Sequence, residues 1–342
     1  MDRPKTWPVI ALTLFRLACT ITPLMGGPTT CERARPGDDV LALIAKLQSK
    51  DVNVRRQAAS DLALPREWVA LALPQLRKAL SDPDLEVRCR ATGALEMMGP
   101  VAAPAVPELA ALLAQKDPDL RESAVAALGA IGRASKKTVP ALVKAYEDEH
   151  ERVRASVVRA LGLIGGDGTG IAVRCLRRAL HDPMLRIDAA ASLVRIQPKV
   201  TAHLSLLARC LKDKDADVRE RAAYALFELG KLAAPIAPAL GAAARDPSAD
   251  VRITVFQALR PIGPAAKAAV PELIIGLKDA RADVRAGAAS VLRQIGPEAS
   301  AALPALIRTL ADSETNVRRA TADALGPTLE PLSRPCPPLT AR

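Results

Sequence analysis

Apolar and polar positions along this chain recur at a long, nearly constant interval. An apolar residue followed by Arg occurs at Val54-Arg55, Val87-Arg88, Leu120-Arg121, Val153-Arg154, Leu185-Arg186, Val218-Arg219, Val251-Arg252, Val284-Arg285 and Val317-Arg318, every step being 33 residues except one of 32. Leu stands eight residues after each apolar position, from Leu62 and Leu95 to Leu292 and Leu325. With the apolar residue as position 0, positions 0, 4, 7, 8 and 11 are apolar or small in nearly every copy, and at about 100° per residue they share one narrow arc of a helix. Gly99, Gly132, Gly165, Gly230, Gly263 and Gly296 close that helix, as left-handed caps would. A second set of marks, Pro74, Pro107, Pro140, Pro238, Pro271 and Pro304, places another helix in each unit, with Pro in its first turn. Leu41, Leu43 and Leu47 supply that helix in the first unit. Polar turns join the two helices, and in six units an Asp (Asp82, Asp148, Asp213, Asp246, Asp279, Asp312) precedes the Arg by six residues. The pattern predicts an all-α chain of nine helix-turn-helix repeats.

This arrangement resembles the HEAT repeat, in the bacterial form grouped with phycobilin lyase subunits, whose units carry this Asp, this Arg and the Pro of the first helix. The resemblance implies an alpha-alpha superhelix, a HEAT-like solenoid over residues 38–327. An ankyrin array shares the period but requires Thr-Pro-Leu-His near each first helix, and a TPR array requires bulky aromatics; neither signature is present. Residues 1–30 fall outside the period. Arg3 and Lys5 precede the apolar runs Trp7 to Phe15 and Leu17 to Gly27, a signal-peptide pattern that implies export to the cell envelope or periplasm, a cytoplasmic location being the alternative. Residues 328–342 form a Pro-rich tail, expected to be disordered. After residue 30 no uninterrupted apolar run approaches the length of a membrane span.

Composition refines this picture in two respects. Hydrophobic residues make up 49% of the chain and aromatic ones only 2%, so the core is built from Ala, Leu, Val and Ile. The formal charge of +11 raises nucleic acid as a partner, and the placement of that charge decides against it. By the resemblance, positions 2, 3, 6, 9 and 10 of the second helix line the concave surface. There Arg56, Arg90, Arg159, Arg195, Arg221, Arg260, Arg293 and Arg319 face Glu96, Glu122, Asp188, Glu220, Glu228 and Asp323, an excess of only two cations. Phosphate tracking needs clustered cations, so nucleic-acid binding is at most weak and electrostatic. The candidate partner-binding residues are Arg221, Tyr224, Phe227, Arg260, Arg293 and Arg319. The nine Arg at position 1 (Arg55, Arg88, Arg121, Arg154, Arg186, Arg219, Arg252, Arg285, Arg318) read as a structural ladder, each bridging to an Asp of its own or the adjacent unit.

Residues with catalytic chemistry do not converge. Among HEAT-like enzymes, deoxyhypusine hydroxylase requires several His-Glu pairs to hold two irons, and this chain has the single pair His150-Glu151, with His181 and His203 elsewhere. Cys175 and Cys210 take positions filled by Leu and Ala in other units and read as core; Cys89 reads as exposed in the groove. Gly165-Gly166-Asp167-Gly168-Thr169-Gly170, ahead of a helix with Arg174, Arg177 and Arg178, suggests a phosphate loop but lacks the preceding strand and the Gly-Lys-Ser/Thr ending, so it reads as a break in the solenoid. No cofactor or metal is expected. The expected function is a non-enzymatic scaffold or adaptor binding a protein or peptide on the concave face, the alternative being a lyase or chaperone-like enzyme subunit of the phycobilin lyase type. An uncapped apolar C-terminal end would favour self-association.

Overall fold

The computed structural model describes residues 36–62, 66–166, 168 and 170–329, the side chains of 36–39 and 66–70 excepted. The expected signal segment 1–30, and the tail beyond residue 329, lie outside the described residues. Two compact units are separable, Met1–Asp39 and Val40–Arg342, and the helical array belongs to the second.

Among the described residues every regular element is helical, and the helices pair into nine units. The first helices are α1 (Pro36–Lys46), α3 (Arg66–Ala79), α5 (Val106–Leu112), α7 (Val139–Ala145), α9 (Ile171–Ala179), α11 (Thr201–Cys210), α13 (Ala237–Ala243), α15 (Val270–Gly276) and α17 (Leu303–Thr309). Each is followed by its second helix: α2 (Val52–Asp61), α4 (Leu85–Met98), α6 (Pro118–Ile131), α8 (Glu151–Ile164), α10 (Arg186–Ile196), α12 (Ala216–Leu229), α14 (Ala249–Leu259), α16 (Ala282–Ile295) and α18 (Thr315–Leu329). Four second helices, α2, α4, α6 and α12, begin at an Asp cap, as where the Asp84 and Asp117 carboxylates accept the backbone N–H of Val87 and Leu120, three residues on, whereas α8, α10, α14 and α16 begin without a side-chain cap bond.

The closing glycines work differently from the expected left-handed cap. Gly99, Gly132 and Gly296 have φ of 58°, 71° and 68°, but ψ lies near −133°, far from the left-handed helix. Such a backbone is open essentially to Gly alone, and it bends the chain into a short 3-10 run (Gly99–Ala105, Gly132–Thr138, Gly296–Ala302) that leads into the next first helix. Pro107, Pro140, Pro238, Pro271 and Pro304 sit at the start of α5, α7, α13, α15 and α17, where their missing N–H costs nothing. Pro74 departs from that rule and lies inside α3, which starts earlier than its counterparts.

The Leu at position 8 is fully buried in the first eight units, and burying each stabilises the array by about 2 kcal/mol. Leu325, in the ninth unit, is only half-buried. Aromatic side chains are nearly dispensable to this core. Tyr146 and Phe256 are the buried aromatics among the described residues, and Phe256 fits because Gly276 and Gly287 leave it room: a Cβ on Gly276 would stand 2.8 Å from the ring. The stretch Ala216–Ala243 has the length and mean hydropathy of a membrane span, but Gly230, at φ 57°, breaks it between α12 and α13, and Leu226, Leu229, Ala233 and Leu240 are core. The buried residues form two clusters that divide along α10, with Leu185, Ala189 and Leu193 in one and Ile187, Ala190 and Val194 in the other.

Candidate interaction face

Position 1 faces the turns, where five arginines join consecutive units. Each reaches the Asp that lies 27 residues ahead, in the following unit. Arg121 Nε and Nη2 donate to Asp148 Oδ2 and Oδ1 at 2.6 and 2.9 Å. The same fork joins Arg55 to Asp82, Arg219 to Asp246 and Arg285 to Asp312, and Arg252 pairs with Asp279 at 2.8 Å. The third nitrogen stays at home: Arg121 Nη1 donates to the Gln115 and Lys116 carbonyls at 2.9 and 2.7 Å. Arg88, Arg154 and Arg318 keep those carbonyl contacts without a carboxylate partner among the described residues: Gln115 occupies the Asp position ahead of Arg88, and Asp182, which holds the turn of unit five by accepting the Met184 N–H, makes no pair with Arg154. Arg186 is exposed and makes no such bridge among the described residues.

These bridges also set the acidity of the ladder. The Arg121 and Arg285 guanidinia hold the Asp148 and Asp312 carboxyls below the usual carboxylate range. At Asp82 and Asp246 burial pushes upward, and hydrogen bonds from Arg55 and Arg219 and from the backbone outweigh it. Each ladder Asp also accepts a backbone N–H two residues on, as Asp148 does from His150 at 2.9 Å, so one carboxylate both shapes its turn and ties it to the previous unit.

The opposite face carries the candidate partner-binding residues. Successive second helices pack directly on one another from α2 to α18, whereas first helices meet largely through the 3-10 runs. The more closely packed row forms the inner wall of a curved stack. Positions 2, 3, 6, 9 and 10 carry the exposed residues of this wall, except where residues such as Ser156, Ile187, Ala191, Val194 and Thr254 at those positions are buried between units. Tyr224 and Phe227 are both 41% exposed, their ring centroids 6.0 Å apart. Arg260 ends α14 and Arg293 lies in the last turn of α16; with Arg319 they are exposed and make no side-chain hydrogen bond or ion pair among the described residues. Arg221 differs from these three. It is half-buried, donates to the Met184 carbonyl at 2.7 Å and stands 3.9 Å from Asp188. Burial raises the Asp188 carboxyl, against the pull of Arg159 and Arg221.

Pairing along this wall changes from one end to the other. In units three to six, Arg152 meets Asp119 and Glu122 at 2.7 and 3.8 Å, and Arg195 meets Glu228 at 3.2 Å. In units seven to nine the arginines at the inner positions, Arg260, Arg293 and Arg319, make no ion pair among the described residues. Two further exposed residues escaped the sequence reading: Met97 and Leu163, both at position 10 and 71% and 50% exposed. Their signal was an apolar residue outside the buried arc, and the search for charges and aromatics passed over it.

Other candidate groups stand apart from this face. Cys175 and Cys210 are buried, and burial pushes the Cys175 thiol up to about 11. Cys89 is half-buried rather than exposed, packed against the core, and burial together with Asp117 raises its thiol. His150 lies 3.4 Å from Asp148 at a turn; His203 is buried in α11 with Nε2 unpartnered. Gly165, Gly168 and Gly170 have positive φ, while Asp167 and Thr169 lie outside the described residues. Of the arginines that follow, Arg178 is held by Glu147 and stacks over the Tyr146 ring at 4.7 Å. Among the described residues no three His, Cys, Asp or Glu converge as metal ligands.

Known proteins share this architecture. The family profile described as HEAT repeats matches residues 40–129, 106–194 and 270–342, and a second, HEAT repeat, matches residues 203–233. No curated protein is similar enough in sequence to match. The complex of CpcE and CpcF of phycocyanin lyase from Nostoc sp. PCC7120 is similar in fold, with a TM-score of 0.53 and 23% identity over 73% of this chain and 96% of that one. An engineered protein matches at 24% identity over 84% of this chain and 88% of that one, with a TM-score of 0.43.

Proposed function

The chain belongs to the HEAT-repeat family, and on that premise we propose that it is a non-enzymatic scaffold that binds a protein or peptide along the inner wall of its second helices. One observation carries this reading. Met97, Leu163, Tyr224 and Phe227 expose large apolar surface on the same wall, whereas the turn edge is occupied by bridges between units. Exposed apolar and aromatic groups of this kind are what anchor a partner. The basic and apolar character of residues 1–30 supports action in the cell envelope. A lyase-subunit role, of the kind named for the CpcE and CpcF complex, is the second reading and draws on shared fold alone; visible absorbance on the purified chain would favour it.

The scaffold reading is tested by placing a photo-crosslinking residue at Phe227 and, as a control, at Ile275 on the first-helix row. The expected result is a discrete adduct in native cells from position 227 and none from position 275. Equal labelling from both positions, or none from position 227, overturns it.

A further inference from the structure

We infer that the partner of this wall is an extended peptide segment, acidic where it crosses units seven to nine and apolar where it crosses units four to six. The inference rests on the scaffold reading above and adds the partner's chemistry and its polarity along the array.

Phe227, Arg260 and Arg293 occupy position 9 in three consecutive units, so they form one straight row across α12, α14 and α16. Neighbouring helices pack about 8–10 Å apart, which sets the two guanidinia about 10 Å apart. An extended chain of the polyproline II type rises about 3.1 Å per residue with three residues per turn, so acids three residues apart share one face and meet both. Among the described residues no carboxylate pairs with these cations, and Asp323 is the one acid at the inner positions of units seven to nine. The floor beneath them is low: Gly287 and Ala320 are the neighbouring inner residues, and a Cβ on Gly326 would meet nothing within 4 Å. Gln257 and Gln294 are exposed beside the row, amides suited to the backbone of an extended chain.

Units two to six have a different character. Glu96, Glu122, Asp188, Glu220 and Glu228 lie there beside Arg90, Arg159, Arg195 and Arg221, so the charge of that half is nearly balanced and offers an acidic segment no net attraction. The exposed surface in its place is apolar, Leu163 and Met97 leading on from Tyr224 and Phe227. The gradient runs from apolar to basic, and a partner graded from apolar to acidic is its complement.

Fluorescence anisotropy tests this with a labelled synthetic peptide holding two Glu three residues apart, then an apolar segment of Leu and Phe. The comparisons are the same peptide with Lys for Glu and a single-stranded oligonucleotide of equal charge. The Glu peptide should bind the full-length protein about tenfold tighter or more than the Lys peptide, and the double variant Arg260→Glu/Arg293→Glu should reverse that order. These side chains are exposed and unpaired, so the variant should retain its helical circular dichroism. Equal binding of the two peptides, no binding of the Glu peptide, or tighter binding of the oligonucleotide overturns the inference. Its failure is separable from failure of the scaffold reading. A Phe227 adduct that persists undiminished in the double variant sinks the acidic partner alone, whereas absence of any adduct in the unaltered protein sinks both.

Discussion

Arg88 reaches the carbonyls of Asp82 and Pro83 just as Arg121 reaches those of its own turn, yet its Nε is buried without a partner because Gln115 stands where other junctions carry Asp. Gln115→Asp supplies the missing carboxylate, and a charge-assisted hydrogen bond of this kind should stabilise the array by about 1 kcal/mol or more, read as a higher thermal midpoint. The depressed Asp148 and Asp312 carboxyls fix the sign of its pH dependence. As pH falls to about 4 the unfolded chain takes up the proton first, so the gain is complete above that value and lost below it. Gln115→Asn should show no gain at any pH, and an equal gain in Asn would sink the charge argument. The ladder itself was legible because it repeats. Its direction, toward the following unit only, was not, because a period gives spacing along the chain and leaves lateral contacts open. Arg186 carries the same sequence signal as Arg121 and yet lies exposed.

Glycine shows the same contrast between helices. Those that close second helices were recognisable from their register, although their ψ was not. Gly162 gave no signal, because Gly inside a helix reads only as a weak helix former. In α8 it lets α10 approach so closely that an added Cβ would stand 2.8 Å from the Ser192 Cα, and Ser192 Oγ donates across the junction to the Val158 carbonyl at 2.8 Å. This contact serves the junction where Arg154 makes no ladder bridge among the described residues. Gly93 lies inside α4 with nothing within 4 Å of an added Cβ. Gly162→Ala should therefore destabilise by about 1–3 kcal/mol through overpacking against backbone. Gly93→Ala should stabilise by about 0.5–1 kcal/mol through helix propensity alone. Thermal melts that move the same way for both would refute the close-approach account.

The array is not uniform along its length, and its weakest coupling falls between units five and six. Arg186 turns outward, the Asp213 carboxylate accepts only from the Asp215 N–H in its own turn, and the buried core divides along α10. The polar contacts across this junction are Arg221 with Met184 and Asp188, and Arg195 with Glu228, all at the inner edge, where partly exposed ion pairs are worth little, and the remaining tie is the packing of Ile187, Ala190 and Val194 on unit six. The sequence marked the neighbourhood by its 32-residue step and its glycines, but it pointed to the loop before α9 rather than to the helix after it. A solenoid's stability is the sum of its units and their junctions, and one weak junction lets the two sides unfold independently. Hydrogen exchange followed peptide by peptide through a urea titration should therefore resolve two cooperative blocks, one up to about α10 and one from α11 onward. Arg221→Ala removes the carbonyl contact without touching either core, so it should widen the gap between the two midpoints while leaving exchange within α6 and α16 unchanged. A single transition spanning α8 to α14, or a boundary at the Gly165 to Gly170 segment instead, would show that the junction is held by the continuous Ala and Leu packing after all and that its missing ladder bridge is immaterial.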